Sequence, residues 1–411
     1  MLGREANTQQ LNSKLVTLFL LLILVAFAGR ARAQSSDPPF SKDKPLLEVD
    51  VRKFGYERTV KKAVRPVRIL MDFTDTDHLA LAWAIPEIQP VQRGAVYLGP
   101  PPAHQTLPAP KEAAPLGPPP AHLHVLILDT QTGGKQAEGQ WPIPSGFFGF
   151  SGLRDGKFLT CAGSTLRLFS PTAELVREQA LSGDNFCPIL APWHGVSPTR
   201  RSVLLSSRSP RSRQMELRDA QTLAAISKWT ESSETSDVSD HWLVGSCGEL
   251  AELCVRGLDQ SWQPLRTLGK DIRVDFKHGT PVAFASDDTF VVGRFQLAVA
   301  TVQGALLFRA ELPKDRFVIR VRSSGGDRFA VIEDRMRGLR NEALDMYPFQ
   351  ADDSVVVYSI SRRRAVYALK LEGSSPWSPW NIHDNDVAVS PDGALLAVIS
   401  DATLQVYRLP Q

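Results

Sequence analysis

Seven times along this chain, a short apolar or alternating run is followed by a polar turn and usually by a second short run. The instances are His122–Trp141, Ser164–Leu181, Gln214–Trp229, Leu250–Leu268, Gln296–Leu312, Ser354–Leu371 and the truncated Thr403–Leu409. Their first strands lie about 37 to 58 residues apart, the length class of one four-stranded sheet unit. Short apolar runs between turn residues follow strand grammar, not helix grammar. Several units carry a further strand pair upstream. Examples are Phe148–Ser151 with Lys157–Thr160, Val282–Ala285 with Thr289–Val292, and Val387–Ser390 with Leu395–Ile399. Pro391-Asp392-Gly393 joins the last pair as a strong turn signal. Before residue 87 come three more strand candidates: Leu46–Val51, and two runs within 67–84.

A small isolated sheet leaves apolar faces exposed and does not stand alone. Radial packing of such sheets buries those faces and leaves only short edges. The expected fold is therefore all-β, a seven-bladed β-propeller spanning 45–411. The final unit stops after its third strand, so Leu46–Val51 is expected to supply the fourth and close the ring. Two stacked β-sandwiches, or six or eight blades, remain as alternatives.

The first 33 residues read as an export signal. Arg4 and Lys14 form a basic start, Leu15–Ala28 is almost wholly apolar, and Ala31-Arg32-Ala33 has the small-x-small pattern of a cleavage site. The apolar stretch is short for a membrane-spanning helix. Retained, it would be an N-terminal anchor, the only membrane attachment expected. Residues 34–44 are expected to be a flexible mature start. The expected localisation is periplasmic or extracellular.

The net charge of +3 belongs to this leader; the rest has equal numbers of basic and acidic residues. No strong field for a nucleic-acid backbone is expected, and Arg362-Arg363-Arg364 reads as a solvated turn. In an oxidising compartment the four cysteines, Cys161, Cys187, Cys247 and Cys254, are expected to pair. A small loop closed by Cys247 and Cys254 fits a hairpin, with Cys161 and Cys187 as a second pair. Four buried thiols are the alternative. Residues 87–120 hold ten prolines, and Leu98–His104 nearly repeats as Leu116–His122. Such proline density blocks ladder hydrogen bonds, so an exposed insertion between strands is expected.

Residues 383–409, HDNDVAVSPDGALLAVISDATLQVYRL, resemble a blade of the WD40 and WD40-like propeller superfamily. His383 falls near the family's histidine, Ser390-Pro391-Asp392-Gly393 matches its inner turn, and Tyr407 stands where tryptophan is common. The Gly-His and Trp-Asp dipeptides do not recur in register elsewhere, so the chain resembles a divergent member. The resemblance implies four-stranded blades, a central channel and a protein-binding role; fold alone does not name the partner.

Catalytic signatures are sparse. HExxH and GxSxG do not occur, and the eight histidines are mostly far apart. His122-Leu123-His124 puts two imidazoles on one strand face, with a structural role expected. Asp72, Asp75 and Asp77 with His78 read as a solvated turn. No catalytic, cofactor or metal residue is assigned, and no cofactor is expected. Trp377 and Trp380, in a Pro-Trp-Ser-Pro-Trp segment, are the candidate protein-binding residues. The reading is an exported, non-catalytic propeller that binds a protein or envelope component. The alternative is a propeller enzyme or cofactor protein with its site in the central channel.

Overall fold

The chain divides into two units, Met1–Ser36 and Asp37–Gln411. The computed structural model describes residues 40–56, 69–86, 121–144, 148–181, 195–208, 213–231, 234–247, 252–269, 281–294, 296–313, 316–336, 349–371, 386–400 and 402–411, all in the second unit. The proposed export signal, most of 34–44 and the proline-rich 87–120 lie outside the described residues.

The second unit is a seven-bladed β-propeller of antiparallel sheets. Its first strand, β1 (Leu47–Asp50), belongs to the last blade. Blade 1 is β2 (Ile69–Phe73), β3 (His78–Pro86), β4 (Ala121–Asp129) and β5 (Lys135–Ile143). Blade 2 is β6 (Phe148–Gly152), β7 (Phe158–Ala162), β8 (Thr165–Phe169) and β9 (Leu175–Ala180). Blade 3 shows β10 (Ser202–Arg208), β11 (Arg213–Asp219) and β12 (Ala225–Glu231), with a single bridge from Val196 to Val203 at its inner position. Blade 4 is β13 (Glu234–Val238), β14 (Trp242–Cys247), β15 (Glu252–Gly257) and the two-residue β16 (Gln263–Pro264), followed by a helical turn at Arg266–Gly269. Blade 5 is β17 (Val282–Phe284), β18 (Thr289–Gly293), β19 (Gln296–Thr301) and β20 (Leu306–Glu311). Blade 6 is β21 (Arg316–Ser323), β22 (Arg328–Met336), β23 (Phe349–Ser359) and β24 (Arg364–Lys370). Blade 7 is β25 (Asp386–Val389), β26 (Leu395–Ser400) and β27 (Thr403–Arg408), completed by β1 with Leu47 opposite Val406 and Val49 opposite Leu404.

Seven hydrophobic clusters of described residues hold the ring, each shared by two adjacent blades. Blades 7 and 1 share Met71, Leu81 and Trp83 with Ile399, Leu404 and Val406. Blades 1 and 2 share Val125 and Ile127 with Phe150 and Phe158. The remaining five clusters link blades 2 to 3, 3 to 4, 4 to 5, 5 to 6 and 6 to 7 in the same manner. The middle strands, such as LLAVIS in β26 and QLAVAT in β19, are packed on both faces and read as apolar runs. Outer strands meet water, and β9 (LVREQA) is exposed along nearly its whole length.

Strand polarity separates two faces of the ring. Turns between first and second strands, and between third and fourth, lie on what we term the hairpin face. Connections between second and third strands, and between blades, lie on the crossover face. Hairpin-face turns are built by side-chain caps. Asp129 accepts from Gln131 N and Thr132 N, and Asp219 accepts from Gln221 N and Thr222 N, in two copies of Asp-x-Gln-Thr.

Candidate functional site

The channel is lined by the innermost strands, and its polar groups converge from different blades. Asp72 of β2, Asp237 of β13 and Asp386 of β25 occupy similar places, and each accepts a backbone N–H from the next blade round the ring. Asp72 Oδ2 accepts from Gly152 at 2.9 Å, Asp237 Oδ2 from Phe284 at 2.7 Å, and Asp386 Oδ2 from Met71 at 3.2 Å. The channel-side edge of an innermost strand has no ladder partner in its own blade, so these carboxylates satisfy its N–H groups from the neighbouring blade.

Arginines complete two of the three positions. Arg200, in a blade 3 turn with φ of 63°, donates to Asp72 Oδ1 at 2.9 Å and also to the carbonyl of Phe73. Arg320 and Arg322 of β21 donate to Asp386 Oδ1 at 2.5 and 3.0 Å. Asp237 is different. It is fully buried, no arginine bonds to it among the described residues, and Oδ1 has no hydrogen-bond partner there. Burial pushes its carboxyl well above the usual carboxylate range, against the pull of the Phe284 and Val238 N–H groups.

Asp72, Ser151, Ser197, Arg200, Asp237 and Arg322 line a channel cavity of about 40 Å³. That holds a few waters; pockets for organic ligands are roughly 300–1,000 Å³. Its serines are engaged: Ser197 Oγ donates to Asp240 at 2.7 Å, Ser151 Oγ to Asp72 at 3.3 Å, and Ser323 Oγ to the Ala285 carbonyl at 2.5 Å. Among the described residues no histidine lines the cavity beside these serines. Among the described residues, no group of three His, Cys, Asp or Glu is placed to hold a metal ion. The chemistry on offer is a buried acid of raised pKa beside two arginine–aspartate sites.

Trp377 and Trp380 lie outside the described residues, as do His383, Asp384 and 87–120. The strands flanking these segments are described. β24 ends and β25 begins on the crossover face, and so do the end of β3 and the start of β4, on nearby blades 6, 7 and 1. The acidic group at 72–78 divides. Asp75 caps its turn, accepting from Asp77 N and His78 N at 2.8 Å, as a turn reading implies. Asp72 instead faces the channel, because strand alternation turns it inward. His124 is buried with its Nε2 2.7 Å from Glu138, and burial holds its pKa below the usual value. Cys247 and Cys254 form a disulfide across β14 and β15, with Cα atoms 5.8 Å apart. Cys161 is also disulfide-bonded; Cys187 lies outside the described residues.

Sequence reasoning missed Arg200, Asp237, Arg320 and Arg322. The last two sit in RFVIRVRS, where charges alternate with apolar residues. Alternation was a usable signal for β21, but not for which face meets the channel.

No protein-family model and no curated protein matches the sequence. Several solved structures are similar to this chain. The Neurospora crassa Pan2 WD40 domain gives a TM-score of 0.40 and 9% identity, covering 91% of this chain and 98% of that one. BamB from Moraxella catarrhalis gives 0.36 and 13%, covering 70% and 81%. Kluyveromyces lactis Hsv2p gives 0.37 and 14%, covering 62% and 71%. These likenesses concern the fold alone. Strand order and register make the ring a seven-bladed propeller, and the Ser390–Asp392 turn bond of 2.5 Å lies in the segment that resembles a WD40 blade.

Proposed function

We propose that this chain is an exported propeller acting as a non-catalytic protein-binding or envelope-associated module. One observation carries the reading. The charged channel groups Asp72, Arg200, Arg320, Arg322 and Asp386 are engaged in ties between blades, and the space beside them is about 40 Å³. Such a channel suits a scaffold whose contacts lie on its outside. The crossover face is the binding surface in this reading, because the connections carrying Trp377, Trp380 and residues 87–120 all leave from it. Trp377 and Trp380 are the anchors proposed. No nucleic acid partner is proposed. Export is supported by the leader and by the Cys247–Cys254 disulfide. No described helix is long and apolar enough to cross a membrane.

Asp237 is the observation that favours the alternative, a propeller enzyme or cofactor protein. A buried acid with a raised pKa and an oxygen lacking a hydrogen bond among the described residues is the kind of group catalytic sites use.

Crosslinking in the exported fraction tests the proposal. Wild-type chain should capture a defined protein, and Trp377→Ala/Trp380→Ala should lose it while melting at the same temperature. Equal capture by both would overturn the tryptophan assignment. A small ligand co-purifying with the wild type, and lost in Asp237→Asn, would move the site into the channel. Mass analysis of the purified chain reads the cleavage: a start at Gln34 is expected, and an intact Met1 would replace export by anchoring.

A further inference from the structure

The hairpin face is divided by charge. On blades 6 and 7 it gathers five exposed cations: Arg362, Arg363 and Arg364 at the start of β24, Arg408 at the end of β27, and Lys44 just before β1. Among the described residues no carboxylate pairs with any of them. The sector also holds Asp43, Asp327 and Asp392, which keep their charge while accepting from hydroxyl and backbone donors, so the cations outnumber the acids there. Asp327 accepts from Ser359 Oγ and Ser361 N, both at 2.6 Å, and Asp392 from Ser390 Oγ at 2.5 Å and Ala394 N at 3.0 Å. Asp43 accepts from Ser41 Oγ at 2.6 Å. Folding gains nothing visible from these cations. Arg363 even sits at φ of 54°, a conformation that glycine or asparagine adopts most readily.

Blades 4 and 5 present the opposite sign on the same face. Their hairpin turns, 239–241, 258–262, 285–288 and 302–305, contain Asp240, Asp259, Asp287 and Asp288 and no lysine or arginine. His241 lies against Asp287, with Nδ1 2.5 Å from Oδ2. Each sector also exposes one large apolar side chain, Leu46 at 50% beside the cations and Leu306 at 36% beside the carboxylates.

We propose that the hairpin face is a self-association surface, on which the basic sector of one copy meets the acidic sector of a second copy of this chain. The two sectors are neighbouring arcs of one face. A two-fold axis lying in that face, between blades 5 and 6, exchanges them. Basic then meets acidic twice, with blade 6 against blade 5 and blade 7 against blade 4. This is the self-complementary arrangement a closed dimer requires. Opposite charges on matching surfaces favour encounter and register, and they weaken with salt. The pairing leaves both crossover faces outward, so it goes beyond the proposed partner binding and makes the module bivalent.

Sedimentation of the purified full-length mature chain tests this at about 0.01 M and about 1 M salt, where the Debye length is about 30 and about 3 Å. Dimer is expected at low salt and monomer at high salt. Arg362→Glu/Arg363→Glu/Arg364→Glu should be monomeric, and so should Asp259→Lys/Asp288→Lys. An equimolar mixture of the two variants should recover the dimer, an outcome that misfolded variants could not give. Wild-type monomer at low salt would overturn the proposal. So would a mixture that stays monomeric. Monomeric chain that sediments with anionic phospholipid vesicles would assign the basic sector to lipid headgroups instead.

Discussion

Asp237 Oδ2 accepts the backbone N–H of Phe284 at 2.7 Å, joining the inner strands of blades 4 and 5, while Oδ1 finds no hydrogen bond among the described residues. Burial raises the pKa of this carboxyl well above the model-peptide range, so the folded ring holds its proton to higher pH than the unfolded chain does. Below about pH 4 the folded and unfolded chains both carry the proton, and Asp237 adds no pH dependence. As pH rises the unfolded chain releases it first. Stability then falls by about 1.4 kcal/mol per pH unit until the folded carboxyl also ionises. Asp237→Asn keeps an acceptor for Phe284 and removes the titration. It should be more stable than wild type at pH 7, with a flatter profile in denaturant melts from about pH 4 to pH 8. Parallel wild-type and variant profiles would refute the account.

The Asp72–Arg200 pair should behave differently, because both charges are present. Asp72→Ala leaves the Arg200 guanidinium and the Gly152 N–H without their carboxylate, and should cost about 3–5 kcal/mol in equilibrium unfolding. Adding Arg200→Met should recover much of that loss, since removing both charges is tolerated better than stranding one. A double variant no more stable than the single would show that Arg200 acts through its bond to the Phe73 carbonyl.

Reduction should act locally on blade 4. The Cys247–Cys254 bridge spans a sequence separation of 7, so its chain-entropy contribution is about 2–3 kcal/mol. Cys247→Ser/Cys254→Ser should lower unfolding stability by about that amount. Hydrogen exchange should rise first in β14 and β15, because β16 covers the outer edge of β15 with only Gln263 and Pro264. Uniform loss across all blades would contradict this.

How much of this ring could be read from the chain depended on how each strand is buried. Third strands such as HVLIL in β4 and VVVY in β23 are packed on both faces, so they appear as apolar runs. The closing strand Leu47–Asp50 was equally legible from the missing fourth strand of the last unit. β13, with sequence ETSDV, carries no apolar run, unlike the inner strands β2 (ILMDF) and β17 (VAF). Nothing in that run marks Asp237 as buried. Arg200 and Asp72 are 128 residues apart, and only ring closure brings them together. The charge division of the hairpin face was hidden as well. Its turns are scattered along the chain, and the body sums to no net charge.

Ring closure itself has a glycine at its contact point. Gly133, in the hairpin between β4 and β5, has φ of 68°, and a Cβ added there would meet Leu47 Cδ1 at 2.8 Å and Val49 Cγ2 at 3.0 Å. Both contacts are on β1, the strand that completes blade 7. Gly133→Ala therefore combines a left-handed backbone strain of about 1 kcal/mol with displacement of the closing strand. Gly55 is the control. Its φ is 85°, but an added Cβ meets nothing within 4 Å. Gly55→Ala should lose about 1 kcal/mol, and Gly133→Ala clearly more. Limited proteolysis separates the two effects. Cleavage near residues 40–50 should accelerate in Gly133→Ala and stay at the wild-type rate in Gly55→Ala. If both variants lose equal stability and are cut alike, side chains on β1 move aside freely, and blade 7 is held by the β1–β27 ladder without help from blade 1.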